Sequence, residues 1–141
     1  MITPKEYLMG RATVDTLPAK KLYNMADLLC RVNYVLTLLG VKIDEADVVV
    51  SGYRTPAINS SAGGATASGH LDCTAIDIKD PGHHKYDVLA RNGIILKEHG
   101  LYMEHKAYTV GKTPGKSEWL HLDTKPRVNT IFIPYAGPVK S

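Results

Sequence analysis

Ala75-Ile76-Asp77-Ile78, followed by Lys79 and then Asp80-Pro81-Gly82, is the stretch on which the reading of this chain turns. Apolar and β-branched residues mark it as a strand, and the Asp-Pro-Gly run stops it. Asp77 is the anomaly. A lone carboxylate facing a core is expensive unless it is paired or bound to a cation. The strand therefore calls for a partner to Asp77, either a salt bridge, for which Arg54 is the candidate, or a metal ion.

Working outward, Val48-Val49-Val50 reads as a second buried strand that leads into Ser51-Gly52-Tyr53-Arg54-Thr55-Pro56. Residues 56–69 are rich in Gly, Ser, Ala and Asn and read as a loop, of a length that usually carries function. Upstream, Thr3-Pro4-Lys5-Glu6 opens a short helix with a capping box, and Gly10 ends it. Pro18 starts a longer helix. Leu22, Met25, Leu29, Val32, Leu36 and Leu39 form one apolar stripe at helical period, and Gly40 stops it. A helix of about 21 residues is about 32 Å long, enough to back a small sheet. Downstream, residues 84–99 read as helix, weakened at Asn92-Gly93. Leu101 to His105, Trp119 to Asp123 and Ile131 to Tyr135 read as strands, and residues 109–117 as a hairpin or loop. The expected class is α+β: a central, mostly antiparallel sheet flanked by helices. The 141 residues suit a single domain with its core over about residues 18–135, an N-terminal helix and linker over 1–17, and a tail over 136–141.

The composition excludes several function classes. Hydrophobic residues make up 44% and charged residues 22%, as in ordinary globular proteins, which argues against disorder and coiled coil. No uncharged apolar run reaches the length of a membrane span, so no membrane insertion is expected. A net charge of +3, spread over both halves, makes no positive case for nucleic acid. Cys30 and Cys73 form no C-x-x-C and read as small buried hydrophobes. No charged-then-apolar leader is present, so synthesis in a cytoplasm is expected, with any exit by another route.

The chemistry-bearing residues fall into three groups: His70 with Asp77, Glu118-Trp119-Leu120-His121, and Arg54. Two imidazoles and one carboxylate form a catalytic zinc set, which leaves a position open for water. A bound ion would acidify that water, and a nearby carboxylate, Glu118, would take its proton. Arg54 would supply a fixed, permanently charged fork for a carbonyl or a carboxylate. Each spacing also occurs by chance, and a solvated histidine or a simple ion pair is the alternative for each group. Strand alternation raises a specific difficulty. Trp119, His121 and Asp123 share one face, so Glu118 faces away from His121 unless it lies in a bulge or turn. Glu104 is then the alternative base. Asp123 is a candidate to hold an imidazole N–H of His121. His83-His84 reads as an exposed turn rather than a metal pair, and Trp119 as packing beside the site or stacking on substrate.

The ordered set Ser51-Gly52-Tyr53-Arg54, Asn59, Gly63-Gly64, Ser68-Gly69-His70, Ala75-Ile76-Asp77 and Glu118-Trp119-Leu120-His121 resembles the zinc D-alanyl-D-alanine carboxypeptidases. It is also similar to the related D,D-dipeptidases and phage endolysin peptidases of the superfamily that includes lysostaphin and the hedgehog proteins. The resemblance covers about residues 48–123, and Ile2 to Arg11 resembles small phage-encoded members. It implies one zinc ion on His70, Asp77 and His121, with Glu118 as general base. It implies Arg54 as substrate orienter and oxyanion stabiliser, with Ser68 as a substrate contact. The implied partners are peptidoglycan stem peptides, and the implied activity is carboxypeptidase-like hydrolysis by a phage lysin that acts on the cell wall after release. The alternatives are an L-alanyl-D-glutamate endopeptidase of the same fold, or a virion or tail-associated domain that keeps the zinc site. In that last reading Ile131 to Pro138 would dock on neighbouring virion or tail proteins.

Overall fold

The computed structural model describes residues 1–63 and 68–134. Gly64, and Tyr135 to Pro138 of the proposed C-terminal arm, lie outside the described residues. The chain runs α1 (Pro4–Leu8), α2 (Ala19–Leu38), β1 (Val49–Ser51), α3 (Pro56–Ser61), β2 (Ala75–Lys79), α4 (His84–Ala90), α5 (Gly93–Glu98), β3 (Tyr102–Glu104), β4 (Trp119–Asp123) and β5 (Ile131–Phe132). The five strands form one sheet in the order β1-β2-β4-β3-β5. All pairings are antiparallel except β3 with β5. The fold is α+β, a sheet with flanking helices, as the strand and helix patterns imply.

Alternation along the strands divides the sheet into two chemically distinct faces. Ile76 and Ile78 of β2, Leu120 and Leu122 of β4 and Met103 of β3 are fully buried. They join Leu28, Val32, Val35 and Leu36 of α2 and Leu89 and Leu96 of the following helices in one apolar cluster. Each such side chain contributes about 1.5–3 kcal/mol on leaving water, so this face holds the fold together. The opposite face carries Ala75, Asp77 and Lys79 of β2, directly across from Asp123, His121 and Trp119 of β4. A one-residue slip would exchange the two faces, so the buried aliphatic set also fixes which polar residues meet.

Local chemistry explains the helix limits. Thr3 and Glu6 form the expected capping box on α1. α1 then locks onto the sheet: the Tyr7 hydroxyl donates to the Ala75 carbonyl at 2.8 Å, and the Tyr53 amide to the Tyr7 carbonyl at 3.1 Å. A Cβ on Gly52 would collide with that Tyr7 carbonyl, so no side chain fits at this crossing.

Three expectations need correction. Residues 56–69 are not all loop: Thr55 caps α3 by accepting from the Ile58 amide, with Pro56 at the first helical position. Residues 84–99 form two helices, because Asn92 leaves helical geometry before Gly93. Cys30 is exposed rather than buried; Cys73 is buried, and both are free thiols.

Candidate metal centre

His70, Asp77 and His121 meet on the polar face of the sheet. One potential ligand atom from each lies within 4.8 Å of the other two, the one such group of metal-binding type among the described residues. Asp77 and His121 are cross-strand partners in the β2–β4 ladder. The Asp77 Oδ1 to His121 Nδ1 distance is 2.7 Å, and Asp77 Oδ2 lies 3.2 Å from His70 Nε2. Two ligands about 2.0–2.2 Å from a shared tetrahedral ion stand about 3.3–3.5 Å apart, so these separations are on the scale of a common cation.

His70 comes from the tight turn that precedes β2. The Leu71 amide donates to the Ser68 carbonyl and the Thr74 amide to the Gly69 carbonyl, while Cys73 takes a left-handed conformation at φ 61°. A Cβ on Gly69 would stand 2.9 Å from Ala75 Cβ, so the turn packs against the strand it feeds. His70 Nδ1–H donates to the Gly52 carbonyl at 2.8 Å, which leaves Nε2 as the ring nitrogen that faces Asp77. On the other side, His121 Nε2 donates to Asp123 Oδ2 at 3.1 Å. Both imidazoles thus have the outer hydrogen-bond partner that ligating histidines need, and this donor chemistry fits a divalent cation.

The electrostatics agree with the fit. Burial alone would raise the Asp77 carboxyl. The charges of His70 and His121 and their hydrogen bonds outweigh it and hold Asp77 below the usual carboxylate range. Burial would depress the His121 imidazole, but the Asp77 charge and the hydrogen bonds to Asp123 and Asp77 lift it to about 10. The cluster of carboxylates therefore draws positive charge to the Nδ1 position of His121.

Arg54 leaves β1 through a register irregularity between Val49 and Ser51. Its Nε donates to Ser51 Oγ at 3.0 Å, one terminal nitrogen to Asn59 Oδ1 at 3.3 Å, and the other lies 3.6 Å from Asp77 Oδ2. The guanidinium is thus fixed beside the candidate ligands. Ser68 stands next to His70, its hydroxyl accepting from the His70 amide at 3.3 Å. Trp119 is half-buried on the same face of β4 as His121.

Glu118 is elsewhere. One carboxylate oxygen accepts from the Gly82 amide at 2.7 Å and the other from the Gly115 amide at 2.8 Å. The Gly82 N–H, with help from that of Gly115, holds its carboxyl below the ordinary value despite desolvation. Glu118 braces the turn after β2 against the loop before β4, as alternation on β4 requires. Glu104 reaches the centre instead, with Oε2 3.9 Å from His121 Nδ1. Burial raises its carboxyl above the usual value, opposed by the nearby His121 charge.

Two neighbours of His121 have weaker sequence signals. The Arg127 guanidinium donates to Asp123 Oδ2 at 3.2 Å and lies 3.9 Å from the centre of the Phe132 ring, which in turn contacts His121 edge-on. Alternation on β4 marks Asp123. Arg127 lies in the loop after β4 and Phe132 in the short strand β5, and neither carries a local pattern that points at the site.

Two imidazoles and a carboxylate on the polar sheet face, flanked by a fixed arginine and the Glu104 carboxylate, have the donor chemistry of a hydrolytic metal centre. The chain matches the model of the family described as Peptidase M15 over residues 5–123, and it belongs to that family. No curated protein and no solved structure matches the chain significantly. Among the described residues, no helix is long and apolar enough to cross a membrane.

Proposed function

We propose that this protein is a zinc-dependent peptidase that hydrolyses peptide bonds in peptidoglycan stem peptides, in the manner of a D-Ala-D-Ala carboxypeptidase. The convergence of His70, Asp77 and His121 within 4.8 Å carries the reading, with membership of the M15 family in support. These three side chains would hold the ion. When bound, zinc polarises a substrate carbonyl and acidifies water.

The remaining work falls to the chain. Glu104, rather than Glu118, is the general base: it takes a proton from the attacking water and returns it to the leaving amine. Its raised pKa suits both directions of transfer. Both oxygens of Glu118 are already committed to backbone N–H groups. Arg54, held by Ser51 and Asn59, presents its charge to the developing oxyanion without having to reorganise. Ser68 and Trp119 border the substrate path. The similarity of Ile2 to Arg11 to small phage-encoded members supports a phage lysin, which acts on the wall after release or as part of a virion.

Digestion of purified muropeptides, with product masses read directly, tests this reading. Release of terminal D-alanine is the expected result. Release of L-alanine-linked fragments would move the assignment to an L-alanyl-D-glutamate endopeptidase. No cleavage by zinc-loaded protein would refute the peptidase reading.

A further inference from the structure

The polar face continues one rung past the candidate ligands. β2 and β4 place Asp77 opposite His121, and the next outward-facing pair in the same ladder is Lys79 opposite Trp119. Two residues along a strand advance about 6.8 Å, so this pair borders the centre on the side away from Ala75 and Asp123. Lys79 is exposed, whereas Ala75, Ile76, Asp77 and Ile78 are all buried.

The carboxylates near Lys79 in sequence and space are engaged elsewhere. Asp80 accepts from the Lys85 and Tyr86 amides at the start of α4, at 2.8 and 2.9 Å. Glu118, next to Trp119, is held by Gly82 and Gly115. Glu45 pairs with the Lys85 ammonium at 3.1 Å. Among the described residues no ion pair to the Lys79 ammonium is found, and strand register places Lys79 on the face of the candidate centre, across from Trp119. Arg54 and Arg127 also lie at the centre, but Arg54 is tied to Ser51, Asn59 and Asp77 and Arg127 to Asp123.

We propose that Lys79 and Trp119 form a subsite for a carboxylate of the substrate, one or two residues from the scissile bond. The ammonium pairs with the acid, and the indole supplies an apolar wall for the adjoining peptide. The ligand class is an acidic peptide, and the inference rests on the peptidase reading above for its substrate. Extended peptide advances about 3.3–3.4 Å per residue, so a residue next to the cleaved bond brings its carboxylate within reach of a lysine one rung away.

The test is calorimetric binding of two peptides to zinc-loaded Glu104→Gln protein, alone and combined with Lys79→Met or Lys79→Glu. One peptide is a stem pentapeptide ending in D-Ala-D-Ala, and the other is the same peptide with only its internal and side-chain carboxylates amidated, its C-terminal carboxylate left free. Amidation is expected to weaken binding about fivefold when Lys79 is present, the upper range for a solvent-exposed ion pair. The difference should vanish in Lys79→Met and reverse in Lys79→Glu. An unchanged ratio in all three proteins, or no binding by any of them, overturns the subsite. Turnover by the wild type, measured separately, judges the peptidase reading. Lys79-dependent binding without turnover would sink that reading alone, and turnover with a Lys79-independent ratio would sink the subsite alone.

Discussion

Glu104→Gln is the substitution on which the proposed chemistry depends most. Gln keeps the shape of the side chain but cannot take a proton. Glu104 is not among the three side chains whose donor atoms converge, so the ligand set should survive the change. A positioned general base contributes typically 10²–10⁴-fold. At 1.36 kcal/mol per decade this is about 2.7–5.4 kcal/mol of transition-state stabilisation. The variant should therefore lose about two to four decades of kcat on a stem peptide, with zinc content still near one ion per chain. Glu118→Gln is the contrast. Its amide would set a donor against one of two backbone donors, Gly82 N–H or Gly115 N–H. The loop should loosen and Tm should fall, while kcat per folded molecule stays within about tenfold, short of a base's typical share. The assay is steady-state hydrolysis together with metal analysis and thermal melting on the same preparations. Full kcat in Glu104→Gln, with a hundredfold loss in zinc-loaded Glu118→Gln, would refute the assignment.

Three further outcomes are expected. Arg54→Lys keeps a charge but loses the fork that Ser51 and Asn59 hold, so kcat should fall by about 10²-fold, as for loss of an oxyanion donor, with little change in zinc content; unchanged kcat would remove Arg54 from the chemistry. Asp123→Ala removes the acceptor of His121 Nε2–H, and zinc affinity measured by chelator competition should drop about 10–100-fold. Burial pushes the Cys73 thiol up to about 11 and raises the Tyr7 hydroxyl as well. Both neutral forms are favoured in the fold; for Cys73 the contribution is complete below the unfolded thiol pKa and is lost as pH rises through about 11. Native protein at pH 8.5 should alkylate at exposed Cys30 and not at Cys73, and Tm should decline above that pH; rapid modification of Cys73 in folded protein would contradict this.

Part of the candidate site was legible before the fold, because Asp77 and His121 stand in strands whose alternation can be read, whereas His70 lies in a turn and entered through the resemblance of the ordered motifs. Asp77 stood out as a charge within an apolar strand, and β4 alternation placed His121 and Asp123 together while turning Glu118 away. Glu118 nevertheless stood as the expected base, because the resemblance implied it, with Glu104 as the alternative; the Gly82 and Gly115 amides that hold Glu118 are tertiary contacts that no pattern shows. The less legible parts depend on tertiary contacts. Arg127 joins the site from the loop after β4 and Phe132 from the two-residue strand β5, too short for a period to mark it. α3 was hidden in a small-residue stretch whose low helix propensity is overcome by the Thr55 cap and Pro56. The break between α4 and α5 was foreshadowed by Asn92-Gly93, yet the apolar residues on either side read as one continuous helix. Cys30 looked like core by residue type, but it lies off the buried stripe of α2 formed by Met25, Leu28, Leu29, Val32, Val35 and Leu36.

The most direct measurement is zinc stoichiometry and affinity, by chelator competition, for the wild-type protein and for His70→Ala and His121→Ala, with circular dichroism to establish that each is folded. One tightly held ion in the wild type, lost from both folded variants, is the predicted result. Equal zinc binding by all three would contradict a centre built from His70, Asp77 and His121.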